Sequence, residues 1–215
     1  MLLYSNGDSH SLGAMKDGAT GKSFVTLVAK HFNLDLVNES ESASSVARVI
    51  RTTRDYLIEN KPKLVLIGWG TWEREEWLHE NKYYPVMVGW YKHLPAVLQE
   101  RYKSWVVEQT PEMLIEKSRE WHKQIYSFHL ELEQKNIKHL FFNCMYDFFL
   151  KFQLSDAEPY DWNRQFIGPY NNDLSYHWYL KNKGYKCDKW YHYNEDGHYE
   201  WAKFLINYIR ENKLI

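Results

Sequence analysis

The sequence predicts a three-layer α/β/α domain on a central parallel sheet. Three observations carry that expectation: short apolar runs that read as buried strands, segments between them with apolar residues at three- and four-residue spacing, and a regular alternation of the two. Length agrees with it. A chain of 215 residues suffices for one α/β domain with a well-buried core and is short for two, so residues 1–215 are read as a single domain.

The first strand is the apolar run at residues 2–5, which stops at the turn chemistry of Asn6-Gly7-Asp8. Residues 22–32 carry Phe24, Leu27, Val28 and Phe32 at helical spacing, and residues 34–37 read as a second strand. Residues 44–60 place Val46, Val49, Ile50, Tyr56 and Leu57 on one helical face and end before Pro62. Leu64-Val65-Leu66-Ile67-Gly68 is a continuous apolar run, the signature of a central parallel strand covered on both faces. Residues 69–110 are rich in aromatics with little periodicity and are read as an insertion of short helices and loops beyond the third strand. Pro111 opens a helix to about residue 135, with Leu114, Ser118, Trp121, Ile125, Phe128 and Leu132 on one side. A fourth strand follows at 137–143. After a loop, the last helix, about 197–212, lines up Trp201, Phe204, Leu205, Tyr208 and Ile209.

Composition narrows the function classes. Hydrophobic residues at 44% and charged residues at 26% are ordinary, whereas 17% aromatic, with ten Trp and seventeen Tyr, is high. A formal net charge of −1 offers no basic excess for nucleic acid or an anionic membrane, so neither is expected as a partner. No apolar stretch approaches the roughly 20 residues of a membrane-spanning helix. The start, MLLYSNGDSH, lacks the basic and long apolar regions of a signal peptide, so a cytoplasmic location is expected. Cys144, inside an apolar strand-like run, and Cys187 are expected to be free thiols.

Open parallel sheets bind ligands beyond the carboxyl ends of their strands. The polar segments so placed are Gly7-Asp8-Ser9-His10, Gly68-Trp69-Gly70-Thr71-Trp72-Glu73-Arg74, and Asp188-Lys189-Trp190-Tyr191-His192-Tyr193-Asn194 just before the last helix. Gly7-Asp8-Ser9 directly after the first strand, with His192 and Gly197-His198 at the start of the last helix, resembles the SGNH or GDSL hydrolases. Their nucleophilic Ser lies in a Gly-Asp-Ser motif, and their C-terminal block reads Asp-x-x-His-Pro before a Gly-His. The resemblance implies an SGNH-hydrolase-like, flavodoxin-like fold with Ser9 as nucleophile and His192 as base, Tyr193 standing where Pro is usual.

It also locates the remaining machinery. The usual Asp, three residues before the base, falls on Lys189; Asp188 reaches the imidazole if the loop bulges, and otherwise the site is a Ser-His dyad. The family's oxyanion donors are the Ser amide, a Gly amide after the second strand and an Asn side chain in Gly-x-Asn after the third. Here those places offer the amides of Ser9 and Ala43 and, with no Asn in Gly68-Trp69-Gly70, the shorter Thr71. Asp8, His10, Trp69 and Arg74 are the candidate substrate contacts. No cofactor and no metal is expected.

The segments 48–53 and 68–77 are similar to a divergent branch of the family found in bacteriophage genomes, which implies the host cytoplasm or a virion as location. Arg48, Arg51, Glu73 and Arg74 form either a charged network near the site or ion pairs on solvated helix faces, and the latter is the preferred reading. His198 is read as a first-turn helix residue in contact with the preceding loop. Gly18-Ala19-Thr20-Gly21-Lys22-Ser23 ends like a phosphate-binding loop but has Lys16 where the first Gly belongs. His177, His192 and His198 lack the ligand spacing of a zinc site. The aromatics around 69–91 and 178–193 either stack on sugars or fill core, the second being commoner.

These expectations describe an esterase or deacetylase that cleaves a small-molecule or carbohydrate ester, or passes the acyl group to an acceptor alcohol. A second reading, from another class, is a catalytically degenerate SGNH-like binding or virion-assembly module, motivated by the missing Asn and the displaced Asp.

Overall fold

The computed structural model describes residues 1–13, 22–146 and 159–215. Residues 18–21 of the phosphate-loop-like stretch lie outside them. The described chain runs β1 (Leu2–Gly7), α1 (Ser9–Leu12), α2 (Phe24–His31), β2 (Asp35–Asn38), α3 (Val46–Glu59), β3 (Leu64–Trp69), β4 (Glu75–His79), β5 (Lys82–Val86) and α4 (Ala96–Val107). It continues through α5 (Pro111–Gln134), β6 (His139–Asn143), β7 (Phe166–Ile167), α6 (Tyr176–Asn182) and α7 (Glu195–Glu211). Side-chain caps start α2, α3, α5 and α7: Ser23, Ser45, Thr110 and Asn194 accept from the amides of Thr26, Arg48, Met113 and Gly197.

Five strands form one sheet in the order β2-β1-β3-β6-β7, and every pair is parallel. Alternation along the strands sorts their side chains onto two faces. Leu3, Leu64, Leu66, Leu140 and Phe142 pack with Phe24 and Val28 of α2 and Trp201, Leu205 and Ile209 of α7. Tyr4, Val65, Ile67, Trp69 and Phe141 pack with Val49 and Ile50 of α3 and Ile125 and Phe128 of α5. The three-layer α/β/α arrangement read from the sequence is therefore present, and every residue of β3 is buried as the continuous apolar run implied.

The region after β3 differs from the expectation of short helices and loops. It opens with an antiparallel hairpin, β4 against β5, before α4. Its turn residues Glu80 and Asn81 both adopt positive φ, 48° and 61°, the backbone of a type I′ turn. The usual Asn-Gly signal for that turn is absent, which is why the sequence did not reveal it. The insertion has its own apolar cluster of Trp77, Val86, Leu94, Leu98, Tyr102 and Trp105. Beside it, the indoles of Trp77 and Trp105 donate to Glu75 at 2.9 and 2.8 Å, and Lys117 of α5 pairs with the same carboxylate. The segment read as a loop before the last helix also holds β7 and α6; two residues of strand and seven of helix are too short to show a period.

Leu66 has no exposed surface, whereas Ile58 of α3 is 79% exposed. Leu66→Ala is expected to lower unfolding stability by about 2–5 kcal/mol in urea titration, and Ile58→Ala to change it by no more than about 0.5 kcal/mol.

Candidate active site

The site begins where β1 ends. Gly7 has φ +151°, and a Cβ there would lie 2.6 Å from the Gly68 carbonyl oxygen on β3, so only glycine permits this approach of the two strands. The chain then turns into α1. Asp8 caps that helix by accepting from the His10 amide at 3.0 Å, and Ser9 is its first residue.

Ser9 Oγ stands 2.9 Å from His192 Nε2, across 183 residues of sequence. His192 is delivered by a tight turn before α7. Asp188 Oδ1 accepts the amides of Trp190 and His192 at 2.8 and 3.0 Å, and the Asp188 amide donates to the His192 carbonyl at 2.9 Å. Tyr191 sits inside the turn at φ +66°. This left-handed residue absorbs the extra position between Asp188 and the histidine, a local bulge. With it, Asp188 Oδ2 reaches 3.4 Å from His192 Nδ1, a long contact for a charge-assisted hydrogen bond. When Nδ1 carries the proton toward Asp188, Nε2 is free to accept from the Ser9 hydroxyl. Burial lowers the His192 pKa, the neighbouring His10 lowers it further, and Asp188 opposes both. Burial alone would raise Asp188, but the His192 and Trp190 amides hold it below the usual carboxylate range.

Beneath Ser9 lies a buried charge cluster. Asp8 is 1% exposed; its Oδ1 is 2.9 Å from His10 Nδ1, and its Oδ2 accepts from Arg74 Nη1 at 2.8 Å. Burial pushes its pKa up, but His10 and Arg74 outweigh that and keep it ionised far below the ordinary range. The His10 ring packs at 5.3 Å from His192 and 5.6 Å from Tyr176. Cys144 is buried on the same side, its thiol pushed up by burial and by Asp8. Both cysteines are free. Asp8, His10 and Cys144 bring ligand-type atoms within 4.8 Å of one another, but Arg74 and His10 already occupy the Asp8 oxygens.

Several site readings need correction. Trp69 has no exposed surface and packs edge-on against Phe141 at 5.1 Å; it is core, not a substrate contact. Asp8 and His10 are interior and bind each other rather than an open pocket. Arg74 keeps a side chain 12% exposed. Ala43 is buried at φ +63°, a conformation that glycine adopts most readily, in keeping with the Gly that the motif resemblance implies there. Its loop is tied to the end of β1, where the Glu41 amide donates to the Gly7 carbonyl at 3.1 Å. Thr71 is half-buried in the segment after β3.

The other charged and histidine candidates have partners. Arg48 pairs with Glu41 at 2.7 Å and Arg51 with Glu76 at 2.8 Å. His198 Nδ1 accepts the Phe24 amide at 3.3 Å, capping α2, and its pKa is lowered by burial to about 4. His177 Nδ1 meets the Tyr193 hydroxyl at 3.1 Å. His177, His192 and His198 are thus each engaged separately. Sequence reasoning passed over Asn143, which ends β6 fully buried with neither side-chain amide atom hydrogen-bonded among the described residues. An Asn closing an apolar strand at the sheet's carboxyl edge was the available signal.

Family-model comparison of the sequence finds no match, and no curated protein matches it. Solved structures do. The chain is similar over its whole length to all of the crystal structure of TesA, with a TM-score of 0.53 at 15% identity. It is similar over 98% of its length to 97% of a member of the lipolytic protein G-D-S-L family from Veillonella parvula, with a TM-score of 0.50 at 12% identity. It is also similar over 96% of its length to 98% of the acetyl xylan esterase AlAXEase, with a TM-score of 0.50 at 14% identity. The chain therefore has the three-layer α/β fold of the SGNH hydrolases. On that fold it places Ser9 and His192 within hydrogen-bond reach, at the carboxyl edge of the sheet.

Tyr191 carries its ring at a φ that costs an L-residue about 1–2 kcal/mol. Tyr191→Gly is expected to stay within about 1 kcal/mol of the parent in chemical denaturation despite losing an aromatic ring. Tyr191→Val is expected to be less stable than Tyr191→Gly, because a β-branched residue resists the left-handed region most.

Proposed function

We propose that this protein is an SGNH-type serine hydrolase, an esterase or deacetylase acting on a small-molecule or carbohydrate ester. The observation that carries this reading is the 2.9 Å contact between Ser9 Oγ and His192 Nε2. In the proposed reaction Ser9 Oγ bonds to the ester carbonyl carbon while its proton passes to His192 Nε2. The tetrahedral oxyanion collapses, the C–O bond to the alcohol breaks, and the imidazolium returns its proton to the leaving oxygen. Water repeats the sequence on the acyl-enzyme, releasing the acid and restoring Ser9; an acceptor alcohol in its place gives acyl transfer. Asp188 orients Nδ1–H across 3.4 Å, and the backbone amides of Ser9 and Ala43 are the assigned main-chain oxyanion donors.

The carbohydrate reading draws support from Trp190 and Tyr191, 63% and 47% exposed beside the base, and from the likeness to an acetyl xylan esterase. Segments 48–53 and 68–77 support placement in a phage-like branch, with the host cytoplasm as location. Three proposed assignments complete the reading: one domain over residues 1–215, no nucleic-acid or membrane partner, and no cofactor.

Fluorophosphonate labelling mapped by mass spectrometry tests the proposal without knowledge of the substrate. Modification is expected at Ser9 and should vanish in Ser9→Ala and His192→Ala. A folded protein left unlabelled, or one that hydrolyses aryl acetates as fast after Ser9→Ala, would overturn it in favour of the degenerate binding module.

The pH dependence has a definite sign. Only neutral His192 accepts a proton, so reactivity rises with pH through its pKa and is flat above; because burial lowers that pKa, the midpoint is expected below the ordinary histidine value of about 6.5. Asp188 favours the imidazolium. Asp188→Asn is therefore expected to move the midpoint of labelling rate against pH further down, while reducing the plateau rate.

A further inference from the structure

Gly68-Trp69-Gly70 occupies the place of Gly-x-Asn, so Gly70 stands where a donor side chain would otherwise arise. A Cβ on Gly70 would lie 3.0 Å from Arg74 Nη1 and 3.0 Å from Asp8 Oδ2. The guanidinium of Arg74 thus fills the space into which a residue-70 side chain would project. Nη1 is spent on Asp8 at 2.8 Å. Nε and Nη2 have no hydrogen-bond partner among the described residues, and neither is sealed from solvent.

We propose that Arg74 is the side-chain oxyanion donor of this site, presenting its unspent guanidinium N–H groups from the volume left open by Gly70. The inference rests on the esterase reading above, and it assigns to Arg74 the role first read onto Thr71. Three physical features favour it. A guanidinium is always protonated and offers charge-assisted hydrogen bonds, roughly twice as strong as neutral ones. The buried Asp8 carboxylate fixes one edge of the group, so little reorganisation is needed as the oxyanion forms. Asp8 directly precedes Ser9, so one ion pair ties donor and nucleophile to the same short piece of backbone.

Two roles must be separated, because Arg74 also neutralises Asp8. A double-mutant cycle does this by steady-state hydrolysis of an aryl acetate, comparing the parent, Arg74→Ala, Asp8→Asn and Asp8→Asn/Arg74→Ala, with circular dichroism confirming the fold. The last variant leaves no stranded buried carboxylate, so the cycle stays informative if Arg74→Ala alone unfolds. Removing Arg74 is expected to lower kcat about 10²–10³-fold, with little change in KM, in the parent and Asp8→Asn backgrounds alike. In the Asp8→Asn background, where no carboxylate is left to pair, adding Gly70→Asn to Arg74→Ala puts an amide into the vacated space and is expected to recover at least about tenfold over Asp8→Asn/Arg74→Ala, which would be a donor replaced and not a scaffold repaired.

If the loss on removing Arg74 disappears in the Asp8→Asn background, Arg74 serves only to hold Asp8 and the proposal falls. An unchanged kcat in Arg74→Ala, with hydrolysis abolished by Ser9→Ala, likewise overturns the donor assignment while leaving the esterase reading intact. Absence of any Ser9-dependent hydrolysis in the parent overturns both.

Discussion

A carboxylate without exposed surface must be neutralised where it stands, because burying an unpaired charge costs several kcal/mol. Asp8 meets that demand with the His10 amide, the His10 ring and Arg74. Each partner belongs to a different part of the site: the first turn of α1, the imidazole beside the base, and the segment leaving β3. Since Asp8 and Ser9 are adjacent, whatever fixes the carboxylate also fixes the backbone from which the nucleophile projects. The His10 ring carries the same constraint onward to His192, 5.3 Å away. The ion pair therefore ties the segment leaving β3 to the start of α1, next to the proposed nucleophile Ser9.

Three residues with positive φ lie at the same edge of the sheet. Gly7 at φ +151°, Ala43 at +63° and Tyr191 at +66° all lie in the segments that carry the proposed nucleophile, oxyanion amide and base. Strained residues persist only where the surroundings over-determine them, and each of these is held. Gly7 is pressed against β3, the loop of Ala43 is bonded to the Gly7 carbonyl, and Tyr191 lies within the hydrogen-bonded turn of Asp188. Strand ends so constrained keep their loops from relaxing into ordinary turns, which is the preorganisation that the proposed acyl transfer requires.

Much of this was legible in the sequence, and what was not has physical causes. Buried parallel strands such as 64–68 announce themselves, because both faces must be apolar and polar residues are excluded throughout. The two segments that meet in the Ser9–His192 contact were singled out by the Gly-Asp-Ser motif after the first strand and the histidine block before the last helix. The β4–β5 hairpin was hidden by its Glu80-Asn81 turn. Trp69 was misread because a tryptophan next to a loop looks exposed, although alternation along β3 turns it into the layer formed by α3 and α5. The ion pair between Asp8 and Arg74 leaves no local mark at all: it joins residues 66 apart in sequence, and nothing in either segment names the other.

The departures from the expected motifs share a logic. The orienting Asp sits one residue too early, and the chain compensates with a left-handed residue that takes up the slack. The small residue after the second strand is Ala rather than Gly, and the backbone nevertheless adopts the glycine-like conformation. The Asn after the third strand is gone, and a guanidinium four residues beyond occupies its space. In each case a residue that departs from the motif is met by a local feature of this chain: a left-handed turn residue, a left-handed Ala, or a guanidinium beside Gly70. The chain matches no family model, and yet its fold follows solved structures over nearly its whole length at about one residue in seven identical.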